Sequence, residues 1–194
     1  MEGRCECGDA SQGFQTYTFW QNDQQRCFTV FHPRQGEILP VVFNPNCYAL
    51  DRLQGLGGKT PNSDQNKAAA RFGFARLLVS TPDRDWVFGN DQVVNDANPM
   101  PCQDDKSKDI AYIRKIMAWI KSRNDQFDAS RVYSAGFSQN SMFSAYIGFC
   151  FNEQFKGIWQ GGSGMTLKGQ PPYVPNCGGQ LAASTFAQCG KGCK

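Results

Sequence analysis

Residues Gly136-Phe137-Ser138-Gln139-Asn140 place a serine between a short strand-like run and a nearly all-apolar run typical of a buried helix. A serine at a sharp strand-to-helix turn can act as a nucleophile when the residues two positions away on either side are small. Gly136 meets this requirement, whereas Asn140 replaces the second glycine of the G-x-S-x-G pattern. The alternative is that Ser138 only caps the helix, because serine is a preferred N-cap residue.

A serine that attacks a carbonyl also needs N–H donors for the developing oxyanion and a base to accept its own proton. The backbone N–H of Gln139, at the start of the predicted helix, is the first candidate donor. After Ser138 the sequence contains no histidine and no aspartate, and its one later glutamate is Glu153. The sole histidine is His32, next to Pro33 at the end of an early predicted strand.

Lysine is a further conceivable base, as in Ser-Lys enzymes, with Lys156 and Lys168 as the candidates. The S-x-x-K spacing of those enzymes does not start at Ser138. The serine turn is therefore predicted without a matching base.

The elements that must position Ser138 follow from hydrophobic patterning. Short β-branched and aromatic runs predict strands at residues 26–31, 38–43, 75–80, 128–136 and 155–164. Helices are predicted after Ser63 or Asp64, over 104–123, and over 140–151. Residues 44–60 and 81–102 are rich in Gly, Pro, Asn and Asp and are predicted as loops, the second of them a long surface loop.

The second helix carries one apolar face, because its large aliphatic side chains recur at spacings of three, four and three, at Ile110, Ile113, Met117 and Ile120. Apolar strands that alternate with helices indicate a mostly parallel sheet covered on both faces. The predicted fold is therefore an α/β three-layer α/β/α sandwich. We expect residues 1–194 to form a single domain with an irregular tail, rich in cysteine and glycine, from about residue 165.

Residues 109–151, which include the "DASRVYSAGFSQ" run, resemble α/β-hydrolase serine esterases of the polyhydroxybutyrate depolymerase and feruloyl esterase type. In those proteins a helix that begins with Asp, a D-x-x-R-V-Y lead into a strand and a serine turn occur in this order. Asp109, Asp128, Arg131, Gly136 and Ser138 stand at matching positions. The resemblance implies that Ser138 is the nucleophile, that carboxylic esters such as polyesters or feruloylated polysaccharides are the substrates, and that no cofactor or metal takes part.

The resemblance also implies an oxyanion loop after the third strand, where this chain has Asn44-Pro45-Asn46-Cys47 in place of the usual His-Gly. Pro45 has no N–H to donate, so Asn46 or Cys47 would supply the second donor. The absent Asp and His leave two interpretations. Either the acid-bearing and histidine-bearing part of the hydrolase is missing from this sequence, or the chain is a non-catalytic, cysteine-stabilised binding module on a hydrolase scaffold.

Composition restricts the partners and the compartment. The formal net charge of +3 gives no reason to expect nucleic acid or an anionic membrane as partner, and no apolar stretch reaches the 18 residues needed to span a bilayer. Nine cysteines favour disulfides in a secreted protein. The alternative is a metal site that groups Cys5 and Cys7 with Cys189 and Cys193.

Three tryptophans, Trp86, Trp119 and Trp159, are candidates either for lining a site or for filling the core. Core positions are favoured for Trp119, in a predicted helix, and Trp159, in a predicted strand.

Overall fold

The computed structural model describes residues 14–21, 23–46, 64–81, 107–137 and 139–161, together with Trp86 and Cys102, and for Gln139 it describes the backbone alone. The strands are β1 (Phe14–Gln21), β2 (Gln24–Phe31), β3 (Leu39–Asn46), β4 (Ala75–Ser80), β5 (Phe127–Phe137) and β6 (Phe155–Gly161). The helices are α1 (Asp64–Phe72), α2 (Lys108–Ser122) and α3 (Gln139–Cys150).

The six strands form one sheet in the order β1-β2-β4-β3-β5-β6. β3 pairs in parallel with both β4 and β5, and β5 pairs in parallel with β6. β2 is antiparallel to its two neighbours, β1 and β4. The prediction of a mostly parallel sheet is confirmed for β3 to β6. The chain passes from β3 to β4 on one side and then crosses to β5 on the other, so the strand order reverses at β3.

One face of the sheet packs against α2 and α3. Val41, Phe43 and Leu77 alternate with residues of the opposite face, as the period of two requires. They share one buried apolar cluster with Ile113 of α2 and Ile147 of α3. This cluster is the core between the sheet and the helices α2 and α3.

The other face carries α1. Arg76 of β4 points away from the core cluster, and its guanidinium donates hydrogen bonds to the side-chain oxygens of Gln65 and Asn66 in α1. Helices therefore lie on both faces of the sheet, and the predicted three-layer α/β/α arrangement is confirmed.

Helix α2 has the predicted apolar face, and it carries Asp109 in its first turn and Lys121 in its last. Ser107 caps its first turn by accepting a hydrogen bond from the N–H of Ile110 at 3.3 Å. The buried residues include the four predicted ones together with two more, Tyr112 and Ile116. Each buried aliphatic side chain of this size stabilises the fold by about 1.5–3 kcal/mol.

A buried ion pair connects β2 to α2. The Nη2 atom of Arg26 lies 2.9 Å from Oδ1 of Asp109, with side-chain exposures of 1% and 0%. The guanidinium also lies 4.0 Å from the centre of the Tyr112 ring, and the Tyr112 hydroxyl donates to the carbonyl oxygen of Cys27. Asp109, the acidic residue at the start of α2, thus anchors this helix to the sheet.

Two strand assignments differ from the sequence-based ones. β1 was not predicted, because two Gln and two Thr interrupt the aromatic residues of "FQTYTFWQ", although it pairs with β2 along its whole length. β3 was predicted to end at Phe43 but continues to Asn46. The Asn44 side chain accepts from Arg76 in β4 and donates to the carbonyl oxygen of Ala135 in β5, which holds this polar segment in the sheet.

The tryptophans are distributed differently from the expectation. Trp119 packs against the core cluster, as predicted. Trp86 is 3% exposed, so the prediction of a surface loop at residues 81–102 is wrong at this residue. Trp159 is 58% exposed, so its predicted core position is also wrong. It shares its side of β6 with Gly157 and Gly161, where the described helices provide no cover.

A disulfide joins Cys102, ahead of α2, to Cys150 at the end of α3, with the Cα atoms 5.2 Å apart. It supports the expectation that part of the cysteine content is oxidised. Cys5, Cys7, Cys189 and Cys193, the cysteines of the metal alternative, lie outside the described residues. Within the described ranges, no helix has both the length and the apolar character required to cross a bilayer.

Candidate active site

The carboxyl ends of β3, β4, β5 and β6 lie along one edge of the sheet. Parallel register places Asn46 beside Ser80 and Phe137 beside Gly161. In open α/β sheets, ligands bind outside the carboxyl ends of the strands, at the point where the strand order reverses. That point is at β3 and β5, the two strands from which the predicted site residues follow.

The predicted nucleophile connects β5 directly to α3. β5 ends at Phe137 and α3 begins at Gln139, so Ser138 is the single residue between them. Ser138 itself lies outside the described residues. The predicted strand before Ser138 and the predicted helix after it are nevertheless both present.

Gly136 stands at a close approach between β5 and α3. A Cβ atom added to Gly136 would lie 2.1 Å from the carbonyl oxygen of Asn140 and 2.6 Å from Oγ of Ser144. Real side chains do not tolerate such distances, and the first contact is with main chain, which cannot move aside easily. The requirement for a small residue two positions before the serine is therefore met for a steric reason.

Asn140 departs from glycine without colliding with the strand, because its side chain turns towards Trp86. The indole Nε1–H of Trp86 donates to Oδ1 of Asn140 at 3.0 Å. The same indole is stacked on Phe143, with ring centres 3.8 Å apart and planes inclined by 7°. The sequence did not predict this contact, because the residues around Trp86 have the composition of a loop.

Helix α3 is attached to the two strands that flank it by buried polar contacts. Ser134 of β5 donates to Oγ of Ser144 at 3.0 Å. Gln160 of β6 donates through Nε2 to the carbonyl oxygen of Ser141 at 2.8 Å. These bonds fix the helix axis relative to the sheet edge, and with it the direction of the first backbone N–H groups.

The predicted oxyanion donors are placed in part. The backbone of Gln139 opens α3, where the first N–H groups of a helix have no partner within the helix and carry a partial positive charge. Asn46 ends β3 and is half-buried. Cys47, the other predicted donor, lies outside the described residues. The assignment of Gln139, Asn46 and Cys47 as oxyanion donors stays a prediction.

A cleft of about 390 Å³ brings the two predicted segments together. Asn46 from β3 and Gly136, Phe137 and Asn140 around the serine turn all line it. Phe137 is 65% exposed, and Trp159 lines the cleft from β6. The cleft therefore has a polar end at the sheet edge and an aromatic wall.

Arg76 lies deep in this cleft, on the α1 side of the sheet. It is almost fully buried and donates to the side-chain oxygens of Asn44, Gln65 and Asn66. Burial lowers the pKa of Arg76 to about 10, because a desolvated guanidinium is less stable as a cation. Arg76 still carries its charge at neutral pH.

The candidate bases among the described residues lie at the wrong edge of the sheet. Nε2 of His32 is 3.1 Å from the carbonyl oxygen of Gln126, which immediately precedes β5. β5 has 11 residues. At about 3.3 Å per residue, its two ends are roughly 33 Å apart. His32 is therefore excluded as a direct base for a group at the carboxyl end of β5.

The same geometry applies to the start of β6. Glu153 precedes this strand, and Lys156 is its second residue, with Nζ bonded to the carbonyl oxygen of Glu153 at 3.0 Å. Both therefore lie at the amino end of the parallel strands, far from the serine turn. Lys168 lies outside the described residues.

The family-like D-x-x-R segment forms a local polar cluster at the amino end of β5. Asp128 accepts hydrogen bonds from the N–H and hydroxyl of Ser130 and from Nε of Arg131. These bonds, the Ser130 hydroxyl first, lower the pKa of Asp128 to about 2. The cluster shapes the entry into β5 and lies too far from Ser138 to act on it.

The overall architecture matches solved serine hydrolases. Similar structures include an S-formylglutathione hydrolase from Agrobacterium tumefaciens, at 14% identity over 78% of this chain and 59% of that chain, with a TM-score of 0.54. An acetyl xylan esterase from Aspergillus awamori gives 16% identity, 75% and 50% coverage and a TM-score of 0.52. A ferulic acid esterase gives 14% identity, 75% and 58% coverage and a TM-score of 0.50.

These likenesses define the class of fold: the chain has the α/β-hydrolase fold, as expected from the resemblance. It spans 50% to 59% of the length of the three named structures. No protein-family model matches the sequence. No curated protein matches it either.

Proposed function

We propose that the protein belongs to the serine hydrolases that act on carboxylic esters, with Ser138 as the nucleophile that forms an acyl-enzyme. One observation carries the proposal. A single residue joins β5 to α3, and the main chain of Asn140 packs so closely on Gly136 that only glycine fits there. This close packing is what a strained serine turn requires. The α/β-hydrolase fold supports the same assignment.

The proposed chemistry uses the start of α3 as well as the serine. The Ser138 hydroxyl attacks the ester carbonyl, and the carbonyl oxygen becomes an oxyanion. The backbone N–H of Gln139 donates to that oxyanion, and the N–H of Asn46 or Cys47 provides the second hydrogen bond. Solvent accepts the Ser138 proton, and collapse of the tetrahedral intermediate breaks the bond to the alcohol, which leaves after water protonates it. Water then releases the acid from Ser138.

The proton of Ser138 has no strong acceptor among the candidate bases that lie in the described part of the chain. Histidine and aspartate are absent after Ser138 in the sequence, and His32, Glu153 and Lys156 lie at the opposite edge of the sheet. A positioned general base contributes about 10²- to 10⁴-fold to the rate of such a step. We therefore expect the 194-residue chain to hydrolyse esters slowly.

An active-serine probe tests the proposal. A fluorophosphonate should label Ser138 of the 194-residue chain slowly, and more quickly as the pH rises and hydroxide replaces the absent base. Ser138→Ala should abolish labelling, whereas Ser130→Ala, at an exposed serine near the start of β5, should not change it. Absence of labelling at every pH, or labelling that persists in Ser138→Ala, would contradict the proposal. Rapid labelling at neutral pH would contradict the expected lack of a base.

We propose further that the acyl group of the substrate lies along the aromatic wall of the cleft. Phe137 and Trp159 are both exposed there, and exposed aromatic side chains beside a cleft favour planar or apolar groups. Feruloyl groups and polyester units both have this character. The similar structures named as ferulic acid esterase and acetyl xylan esterase are consistent with esters of plant polysaccharides.

Substitution of Trp159 tests the aromatic wall. Trp159→Ala should raise the concentration of an aryl-substituted fluorophosphonate needed for the half-maximal labelling rate. The expected increase is about two- to tenfold, because one aromatic contact is worth about 0.5–1.5 kcal/mol. Labelling of Ser138 by a small alkyl fluorophosphonate should not change. Trp20→Ala is the matched control, because Trp20 is also exposed but lies in β1, at the far end of the sheet. Equal effects of the two substitutions would refute the role of Trp159.

A non-catalytic binding module remains the second candidate, favoured by the absence of histidine and aspartate after Ser138. Measurement of the native mass separates the two. A native mass well above 21.6 kDa would indicate that the remainder of a catalytic domain exists. A native mass of 21.6 kDa, combined with unlabelled Ser138 and retained binding of a polysaccharide ester, would favour the module.

We also propose that the protein is secreted. Support comes from the nine cysteines and from the disulfide between Cys102 and Cys150. Detection of the protein in the medium of the producing cells, with this disulfide intact, is the expected result. Retention of the protein inside those cells with reduced cysteines would contradict the proposal.

A further inference from the structure

Trp86 contacts the serine turn from outside the two elements that form it. Its indole is stacked on Phe143, one helical turn into α3, and its Nε1–H is bonded to the side chain of Asn140. Trp86 is 3% exposed and Asn140 is half-buried, so this hydrogen bond is partly shielded from water. The tryptophan therefore holds the first turn of α3 at two points.

The same turn is held on its other side by the sheet. The carbonyl oxygen of Asn140 packs on Gly136, and Ser144 accepts a hydrogen bond from Ser134. Asn140 is thus fixed between β5, through its main chain, and Trp86, through its side chain. Only one residue, Ser138, separates this clamped turn from the end of β5.

We infer that Trp86 is a positioning residue for the nucleophile. Through Asn140 it fixes the first turn of α3, and so fixes the Ser138 hydroxyl and the Gln139 N–H relative to the ester. This inference rests on the proposed role of Ser138. It also explains why asparagine can replace the second glycine of the motif: Asn140 and Trp86 act as a pair, and the amide side chain is directed away from the strand.

Two single variants and their combination test the inference. Trp86→Phe keeps a ring on Phe143 but removes the N–H donor, and Asn140→Leu keeps the branched heavy-atom shape of the side chain but removes the acceptor. Each should lower the maximal rate of fluorophosphonate labelling at Ser138 roughly two- to tenfold, the range that corresponds to one net hydrogen bond. The probe concentration for half-saturation should be unchanged. The double variant should be no slower than the slower single one, because both substitutions remove the same interaction.

Trp119→Phe is the matched control. Trp119 is a partly buried tryptophan that packs on the core from α2, away from the serine turn. Its substitution should lower thermal stability and leave the maximal labelling rate unchanged. If Trp119→Phe slows labelling as much as Trp86→Phe, the effect is one of general stability and the inference is overturned.

Hydrogen exchange separates failure of this inference from failure of the proposed function. The indole N–H of Trp86 should exchange slowly in the wild type and in Asn140→Asp, which keeps an acceptor, and faster in Asn140→Leu. The amides of Phe143 and Ser144, which bond to the carbonyls four residues earlier, should also exchange faster in Asn140→Leu.

The outcomes are distinct. If Ser138 is never labelled but exchange changes as described, the proposed function fails while Trp86 still fixes the turn. If labelling occurs but neither the labelling rate nor the exchange rates respond to Trp86→Phe and Asn140→Leu, the positioning role is wrong. Additive losses in the double variant would also overturn it, because the two residues would then act independently.

Discussion

Among the described glycines, Gly136 is the one at which an added Cβ atom would collide with main chain. Its missing side chain allows the Asn140 carbonyl to pack on β5, and this contact brings α3 to within one residue of the strand. The glycine was evident in the sequence as part of a motif. Its physical reason, a main-chain approach that leaves no room for a methyl group, depends on the packing of α3 against β5.

We predict that Gly136→Ala destabilises the protein and slows labelling of Ser138. The added methyl group must displace the first turn of α3, and overpacking of this kind costs about 1–3 kcal/mol or more. Urea unfolding would measure the loss. Gly157→Ala is the control, because its nearest neighbour would be the Tyr133 ring at 3.3 Å, which can move. Equal stability of the two variants would contradict the steric explanation.

Asn140 shows the limit of a motif at the residue scale. The sequence presents it as a departure from G-x-S-x-G, and nothing near it in the chain indicates a partner. The partner is Trp86, which is 54 residues earlier. A hydrogen bond over such a separation leaves no periodic or local signal, so only the folded chain brings the pair together.

At the scale of elements, the link between β2 and α2 is the buried ion pair of Arg26 and Asp109. The sequence indicates an acidic residue in the first turn of α2, which favours the helix dipole. The structure gives that residue a more specific role, since its carboxylate is fully buried against a guanidinium. A buried charge that loses its partner is costly, whereas an exposed pair contributes little.

We predict that Asp109→Asn lowers the free energy of unfolding by about 3–5 kcal/mol, because it leaves the Arg26 guanidinium buried without its counter-ion. Replacement of both residues, by Arg26→Met with Asp109→Leu, should restore part of the loss. Asp128→Asn is the control, since the pair of Asp128 and Arg131 is partly exposed and should be worth about 1 kcal/mol or less. Comparable losses in Asp109→Asn and Asp128→Asn, measured by chemical denaturation, would contradict this account.

At the scale of the whole molecule, the disulfide of Cys102 and Cys150 fixes the segment ahead of α2 to the end of α3. The bond encloses a loop with a sequence separation of 48, which contains α2, β5 and α3. The strand β5 and the helix α3, which flank the serine turn, therefore both lie within one covalent ring. Restriction of the unfolded chain by a ring of this size favours the folded state.

We predict that the double substitution Cys102→Ser with Cys150→Ser lowers the free energy of unfolding by about 2–4 kcal/mol, the usual effect of removing such a bond. Mild reduction of the wild type should produce the same loss at this bond, with peptide mapping to identify the thiols released. Asp125→Asn, at an exposed site, should leave stability unchanged. An unchanged unfolding midpoint in the double variant would show that the bond does not constrain the fold.

The sequence by itself determined the elements of the core and their order along the chain. The spacing of Ile110, Ile113, Met117 and Ile120 predicted the buried face of α2, and apolar runs predicted β2, β4, β5, β6 and α3, because burial repeats with the local period of each element. The sequence also placed Ser138 between a strand and a helix. β1 escaped prediction, because its aromatic residues do not alternate regularly with polar ones, and its pairing with β2 forms only in the folded chain.

Only the tertiary structure decided which residues meet. It placed Asn46 beside the serine turn, His32 at the far end of β5, Trp86 on Asn140 and Trp159 on an exposed face. Each of these outcomes depends on the order of strands in the sheet and on crossings that join residues remote in the chain. Local composition does not predict such contacts, because the free energy that selects them arises from packing between elements.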